Sequence, residues 1–357
     1  MHPYQSFPRA QFWRRSVTGQ AFADIDFDPA PKFVFDLETD TFATAGSCFA
    51  QHFGRALVDR GGRLLIAEDR HPLVPKDAGH GYGVFSARYG NLYTTRQLRE
   101  LVQQAAGVTA PVFEFVQRPD GRWVDALRPR AVPDGFSSEA DARADRIFHL
   151  GRVRALLQSC TVFVFTLGLT ESWQNQRDGQ SYGVCPGVVA GTFDPEIHAF
   201  HNLSYVECLE DLYTTFDILR ALNSSIRILL TVSPVMLVAT AEARGVVQSS
   251  VASKSLLRAV ADQCVRDWPN VDYFPSSEII AGPQSRGAFY DGDLREVRED
   301  GVQFVMNMFF KSRVAGGAPV TAAAPSPASD APEPWSVEAM KRFQADCDEA
   351  FLDPDVR

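Results

Sequence analysis

One serine near the start of the chain stands where a nucleophile could act. Ser47 follows an apolar, strand-like run at residues 41–45 and Gly46, and the residues after it are compatible with a helix as far as Asp59. This order predicts a strand, a tight turn and a helix. A helix N-terminus offers backbone N–H groups and partial positive charge to a developing oxyanion. Ser47 is therefore the first candidate nucleophile; the alternative is that its hydroxyl merely caps the helix that would start at Cys48.

A nucleophilic serine needs a partner that takes its proton, and imidazole does this best near neutral pH. His52 lies five residues after Ser47 on the predicted helix, where a turn of about 100° per residue points it away from the serine's face. His198 and His201 lie in a long insertion at residues 174–204, which could cover a site. For each of these histidines the alternative is an ordinary structural or surface role.

Other groups could take part in proton transfer or metal binding. Cys48 could act as a thiol nucleophile, although a place just inside a helix is also typical of a small buried residue. Glu171 and Glu296 could act as acids or bases if burial raises their pKa values, or they could form surface salt bridges. His198 and His201 are too few to bind a metal without further ligands. The sequence therefore predicts no metal and no cofactor.

The elements that must position these residues alternate along the chain. Five short apolar runs fit buried strands, at residues 41–46, 63–67, 161–167, 226–232 and 271–274. Helical spacing between them predicts an α/β fold with a three-layer, mostly parallel sheet. Such sheets bind ligands at the carboxyl ends of their strands. Gly168, Thr170 and Glu171 follow the most strand-like run, so we expect them near a site.

The composition divides the chain into four parts. Residues 1–40 read as an extended arm, and residues 41–313 as the α/β domain, with a small β excursion at 111–136 around Asp120 and Gly121. Residues 314–334 are rich in Pro and Ala and predict a linker. Residues 335–357 have apolar residues at helical spacing, which predicts a tail helix that docks on the body or on a protein partner.

The overall charge restricts the partners. A net charge of -9 and a pI near 5.3 argue against binding to nucleic acid or to an anionic membrane surface. The six cysteines are scattered without metal-ligand spacing, and no signal peptide or run of about 18 apolar residues is present. We therefore expect a cytoplasmic protein with reduced thiols. A neutral or small substrate suits this charge better.

Several motifs resemble one family. The letters GSCFA at residues 46–50 spell the name motif of the GSCFA family, which is placed within the SGNH/GDSL hydrolase-like group. Further family-like motifs follow in order: YGNLY at 89–93, TLGLTE at 166–171, HNLS at 201–204, TVSPV at 231–235 and YFPS at 273–276. The resemblance covers about residues 1–313. It implies a flavodoxin-like, SGNH-type sheet and an esterase or acyltransferase that acts on acylated substrates, glycans in particular.

The resemblance also implies roles for single residues around the bound ester. Ser47 matches the nucleophile, and its backbone N–H is expected to hold the oxyanion together with that of Gly90. Thr170 stands where the group usually has an asparagine that helps in this task. Asn91 is a further candidate, and Gly168 and Glu171 are expected to bind substrate.

The family-like pattern departs from the usual triad in its last block. Asp293 matches the aspartate, but Glu296 stands where the histidine is expected. A carboxylate with a pKa of about 4.3 is a poor base for a serine hydroxyl. One hypothesis is an active enzyme in which another histidine serves Ser47, with His201 ranked first because it lies in a family-like motif. The other is a catalytically inactive SGNH-like module that binds a glycan or a protein.

Overall fold

The computed structural model of the protein describes residues 2–68 and 81–316, together with Leu352. The predicted linker at 314–334 and tail helix at 335–357 therefore lie outside the described residues, apart from residues 314–316 and Leu352. Within the described part, no helix combines the length and the apolar character needed to cross a bilayer.

Five parallel strands form the central sheet in the order β10-β9-β5-β1-β2. Their bounds are Thr41–Gly46 (β1), Arg63–Leu64 (β2), Val162–Leu167 (β5), Arg227–Val232 (β9) and Val271–Tyr273 (β10). All six residues of β5 are buried, because helices cover both faces of the sheet. The predicted α/β fold with a mostly parallel, three-layer sheet is confirmed.

Eight α-helices accompany the sheet in the described residues. They are Trp13–Ser16 (α1), Phe49–Asp59 (α2), Thr95–Ala106 (α3), Glu139–Ser159 (α4), Tyr205–Leu222 (α5), Val246–Asp267 (α6), Ser276–Ala281 (α7) and Glu299–Arg313 (α8). Helices α3 to α6 pack their apolar side chains on one face of the sheet, and α2, α7 and α8 pack on the other. The site at the strand ends is thus held between two helical layers.

Two small antiparallel sheets lie outside the central one. Strands Phe115–Gln117 (β3) and Trp123–Asp125 (β4) form the hairpin predicted within residues 111–136. The insertion after β5 contains a second sheet in the order β7-β6-β8, where the strands are Glu171–Asn175 (β6), Ser181–Tyr182 (β7) and His198–Asn202 (β8). We had expected a covering loop there, and strands this short give little periodic signal in a sequence.

The first 40 residues contain little regular structure beyond α1 and three short 3-10 turns at Pro3–Ser6, Arg9–Gln11 and Phe22–Asp24. Phe22 and Phe35 pack into the same apolar cluster as α8. Phe35 also forms an isolated β-bridge with Val314, just after that helix. The arm therefore covers the outer face of the α2, α7 and α8 layer.

Candidate active site

Ser47 occupies the turn between β1 and α2. Gly46 before it has a φ of +134°, and a Cβ there would lie 2.3 Å from the carbonyl oxygen of Thr166, so only glycine fits this turn. The Ser47 side chain is 3% exposed, and its Oγ has no hydrogen-bond partner among the described residues. Cys48 holds the N-cap position of α2 without any side-chain capping bond. The expectation that Ser47 is a simple helix cap is therefore wrong.

The backbone of Ser47 is already engaged. Its N–H donates to the Thr166 carbonyl at 3.1 Å, extending the pairing of β1 with β5, and its carbonyl accepts from Ala50 N at 2.9 Å. The Ser47 N–H is thus not available to an oxyanion in this structure, although we had expected it to serve there. In the first turn of α2, Gln51 N likewise donates to the Cys48 carbonyl at 3.1 Å, so this turn offers the positive end of the helix to a bound anion.

A small cavity of about 10 Å³ lies at Ser47, on the carboxyl edge of the sheet. A space of this size holds about one water molecule. Three adjacent strands contribute residues just beyond their ends: Ser47 after β1, Gly168 after β5 and Ser233 after β9. The remaining lining residues are Cys48, Tyr93, Leu169, Val235, Met236, Leu237 and Lys254.

Gly168 is pressed between Ser47 and the segment that leads into α3. The N–H groups of Gly168 and Leu169 both donate to the Tyr93 carbonyl at 3.0 Å, and Leu92 N donates to the Gly46 carbonyl at 2.8 Å. A Cβ added to Gly168 would lie 2.9 Å from the Tyr93 oxygen and 3.3 Å from Ser47 Cβ. The predicted place of Gly168 beside the serine is therefore seen in the structure, and its lack of a side chain permits this close packing.

Lys254 is the basic residue that the structure brings to this cavity. It lies on α6, lines the cavity with Ser47, and donates from Nζ to the Gly168 carbonyl at 2.5 Å. No sequence motif predicts this placement, because a single lysine within a helix belongs to no spacing pattern.

None of the five histidines in the described residues lines the Ser47 cavity. His201 Nε2 lies 2.7 Å from Glu207 Oε1, in the first turn of α5. His198 accepts from Asp194 N at 3.0 Å through Nδ1, and its ring packs edge-on against Tyr182. His52 lies on α2, with its ring centroid 6.1 Å from that of Phe49. His71 and His80 lie outside the described residues.

His149 on α4 is the one buried histidine of the described residues, and it was not among the candidates. Its Nδ1 lies 2.7 Å from Glu68 Oε2, and the same carboxylate oxygen accepts from Arg88 N at 2.6 Å. Complete burial, together with the nearby Arg128 charge, lowers the pKa of His149 to about 4. This histidine therefore joins α4 to the segment after β2 as a neutral group.

The family model described as the GSCFA family matches residues 41–309. The chain belongs to the GSCFA family. A search of curated proteins finds no match. A solved structure described as a carbohydrate esterase family 3 from Talaromyces cellulolyticus is similar at 11% identity, over 76% of this chain and 94% of that chain, with a TM-score of 0.28. Superposition at that score is too loose to support a statement about fold or activity.

In this GSCFA chain the predicted oxyanion residues take other positions. Gly90 is exposed and has a φ of +70°. The Thr170 N–H donates to Ser253 Oγ at 3.0 Å, and Thr170 Oγ1 donates to Asn202 Oδ1 at 2.7 Å. Asn91 is buried beside the Leu92–Gly46 contact. Gly90, Asn91 and Thr170 are all absent from the lining of the Ser47 cavity.

The acidic candidates have structural contacts of their own. Glu171 accepts from Thr240 Oγ1 at 2.5 Å and from Ala241 N at 3.1 Å, so it fixes the loop after β9. Asp293 Oδ1 accepts from the N–H groups of Arg295 and Glu296, each at 3.0 Å, and so shapes a turn. Glu296 Oε1 pairs with Arg295 Nη1 at 3.0 Å. These three acidic residues do not line the Ser47 cavity either.

A larger cavity of about 210 Å³ lies next to the Ser47 cavity, and Leu169 and Leu237 line both. Trp173 and Tyr182 of the β7-β6-β8 sheet form part of its wall, and Glu171 contributes a carboxylate. The lining of this cavity thus combines aromatic rings with polar groups. Across the described residues, no group of three or more His, Cys, Asp or Glu could hold a metal ion.

Proposed function

We propose that the protein is an esterase or acyltransferase that acts on an acylated glycan or small ester, with Ser47 as the nucleophile. The observation that carries this proposal is the Ser47 hydroxyl itself, which is buried and has no hydrogen-bond partner among the described residues. A buried hydroxyl without a partner costs about 1–3 kcal/mol. Its place at the strand ends, in a cavity with a lysine, supports a chemical role.

The proposed reaction is acyl transfer in two steps. Ser47 Oγ attacks the ester carbonyl, the Oγ–C bond forms, and the alcohol leaves. Negative charge on the carbonyl oxygen would be stabilised by the positive end of α2, next to which Ser47 lies. Water, or a hydroxyl of a second substrate, then takes the acyl group from the serine. With water as the acceptor the protein is an esterase, and with the hydroxyl of a second substrate it is an acyltransferase.

The larger cavity is the proposed binding place for the part of the substrate that carries the ester. Its volume of about 210 Å³ fits a small group, and the wall shared through Leu169 and Leu237 puts that group beside Ser47. Aromatic faces with a few polar groups are common in ligand pockets. The Ser47 cavity holds about one water molecule, so an ester group that enters it from the larger cavity requires the side chain of Leu169 or Leu237 to move.

A fluorophosphonate probe tests the nucleophile directly. We expect the purified full-length chain to be labelled at Ser47, as located by peptide mass spectrometry, and to hydrolyse para-nitrophenyl acetate and an O-acetylated oligosaccharide. Ser47→Ala should abolish both results. Ser233→Ala is the matched control, because it also removes a hydroxyl from the lining of the same cavity. Full activity in Ser47→Ala would contradict the proposal.

The second candidate function is a catalytically inactive module that binds a glycan or a protein. It is favoured by Glu296, which stands in the histidine position and pairs with Arg295. Binding of an acetylated oligosaccharide without labelling of Ser47 or turnover would support this alternative. The proposed protein partner of the tail helix concerns residues outside the described range, and deleting residues 315–357 would test it separately.

A further inference from the structure

We propose that Lys254 is the general base that takes the proton from Ser47, in the role that histidine has in the usual triad. The inference deepens the proposed function and rests on it. Lysine serves serine nucleophiles in this way in some hydrolases, so the pair is chemically complete without an imidazole. Three observations support this role: the position of the Lys254 amine, the hydrogen bond that holds it, and the small volume of the cavity that it shares with Ser47.

The position of Lys254 follows from its contact with Gly168. Nζ donates to the Gly168 carbonyl at 2.5 Å, and Gly168 packs so tightly on Ser47 that an added Cβ would lie 3.3 Å from Ser47 Cβ. Lys254 and Ser47 also line the same cavity, which holds about one water molecule. The amine therefore reaches the hydroxyl through that single water, since Ser47 Oγ makes no direct hydrogen bond to any described residue.

The Gly168 carbonyl acts as the third member of the arrangement. In a serine triad the base is oriented by a group that accepts a hydrogen bond from its far side. Here a backbone carbonyl at the end of β5 does this for the amine, and the Tyr93 carbonyl fixes the same peptide by accepting from Leu169 N at 3.0 Å. Because both contacts involve the backbone, the orientation of the amine depends on the sheet edge and not on a mobile side chain.

The proton balance of the reaction closes with Lys254 alone. The neutral amine accepts the Ser47 Oγ proton as the Oγ–C bond forms, and the resulting ammonium returns it to the alcohol oxygen as the ester C–O bond breaks. In the second step the amine takes a proton from the attacking water or hydroxyl and gives it to Ser47 Oγ as the acyl group departs. No oxidant, metal or other co-reactant is needed.

Several other ionisable groups line the cavity or pack on α6, and their titration must be separated from that of the amine in any pH measurement. Cys48 and Tyr93 line the same cavity. One turn further along α6, Arg258 donates to Glu278 Oε1 at 2.6 Å and stacks on the Tyr273 ring. At the start of the helix, Glu171 of β6 accepts from Thr240 Oγ1, which lies 3.1 Å from Ser249 Oγ of α6. At its far end, Tyr213 of α5 binds Asp267.

The test replaces Lys254 and measures the rate at which the fluorophosphonate probe labels Ser47. Lys254→Met removes the amine, and Lys254→Arg keeps a charged donor for the Gly168 carbonyl but cannot act as a base. We expect both variants to be labelled roughly 100- to 10,000-fold more slowly than the unchanged chain. Lys311→Met is the control, since Lys311 is an exposed lysine on α8. It should be labelled at the unchanged rate.

Chemical rescue gives a readout that a purely structural lysine would not affect. We expect small primary amines to restore labelling of Lys254→Ala, with a rate that follows the pKa of the added amine and not that of the neighbouring ionisable groups. The rate at which Ser47 of the unchanged chain is labelled should rise with pH. The midpoint of this rise should lie above the pKa of about 6.5 that is expected for a histidine base. Thermal unfolding of each variant shows whether the fold is kept.

The outcomes separate this inference from the proposed function. An unchanged chain that is not labelled at Ser47 would overturn both. Labelling of Lys254→Arg at the unchanged rate, or a slow Lys254→Ala that no amine rescues, would overturn the role of Lys254 alone. Loss of labelling in His71→Gln or His80→Gln, together with full labelling in the lysine variants, would assign the base to a histidine outside the described residues.

Discussion

At the scale of single residues, the Ser47 hydroxyl reveals a conflict between stability and chemistry. It is 3% exposed and has no hydrogen-bond partner among the described residues, whereas most buried hydroxyls in proteins are paired. Active sites commonly contain such unfavourable groups, because the fold elsewhere holds them in place. A residue kept for function in this way should be replaceable without loss of stability.

Ser47→Ala should therefore raise the free energy of unfolding, by about 1 kcal/mol, because it removes a buried polar atom that lacks a partner. Ser276→Ala is the matched control. That hydroxyl is fully buried, donates to the Val232 carbonyl at 2.9 Å and lies 2.5 Å from Thr231 Oγ1. Its removal should cost about 1–3 kcal/mol. Urea denaturation measures both, and a Ser47→Ala variant as destabilised as Ser276→Ala would contradict the interpretation.

Gly168 has no side chain, and this allows the end of β5 to pack closely against Ser47. In Gly168→Ala the new methyl group would lie 2.9 Å from the Tyr93 carbonyl oxygen, a backbone atom that cannot turn away. We expect a loss of about 1–3 kcal/mol in the free energy of unfolding and slower labelling of Ser47. Gly151→Ala, in α4 with no atom within 4 Å, should instead gain about 0.5–1 kcal/mol. Equal effects of the two changes would exclude steric crowding as the cause.

At the scale of elements, the sequence predicted the strand, turn and helix around Ser47, because the apolar run, Gly46 and the following helix formers all favour the same structure. Helix α5 begins where Ser204 and Glu207 form a capping box, a pattern that can be recognised in a sequence. The β7-β6-β8 sheet was not predicted, because its strands have two to five residues.

The predicted site was less complete than the predicted fold. Ser47 and Gly168 meet in the structure because both follow the ends of adjacent parallel strands, and this rule can be applied to a sequence. Lys254 reaches the same place from the middle of α6, and only the packing of that helix shows this. His201 fails to reach Ser47 because Glu207 holds its ring at the start of α5.

The contact between His149 and Glu68 joins α4 to the segment after β2. It makes the stability of the fold sensitive to acid. The pKa of His149 is about 4 in the folded chain, against an ordinary value of 6.5. The unfolded chain therefore binds more protons between these two values, and stability must fall as the pH drops from 6.5 towards 4. One such group contributes a slope of up to about 1.4 kcal/mol per pH unit.

His149→Gln should remove this contribution, because glutamine can still donate to Glu68 but does not titrate. We expect the free energy of unfolding of the variant to change less between pH 6.5 and 5 than that of the unchanged chain. Urea denaturation at several pH values in this range measures the difference. His198→Gln is the control, since that histidine is only partly buried and lies on β8. Identical pH slopes for His149→Gln and the unchanged chain would show that His149 is protonated in the fold.

At the scale of the whole molecule, one arginine connects the first and last parts of the described chain to the sheet. Arg313, at the end of α8, is 1% exposed. It donates from Nη2 to Asp28 Oδ1 of the N-terminal arm at 2.9 Å, and to Asp272 of β10 and the Tyr273 carbonyl. The Arg313 carbonyl also accepts from Phe35 N at 2.6 Å. The arm, α8 and the edge strand are thus joined at a single buried cation.

Arg313→Met should lower the free energy of unfolding by about 3–5 kcal/mol, because it leaves the carboxylates of Asp28 and Asp272 without their shared partner in a buried place. Arg266→Met is the control. That arginine forms an ion pair with Asp262 on the surface of α6 with 72% of its side chain exposed, and such pairs contribute about 0–1 kcal/mol. Guanidinium denaturation of both variants compares the two costs. A much larger loss of stability in Arg313→Met than in Arg266→Met would confirm that charge pairing joins the arm to the sheet. Equal losses in the two variants would show that apolar contacts alone hold the arm.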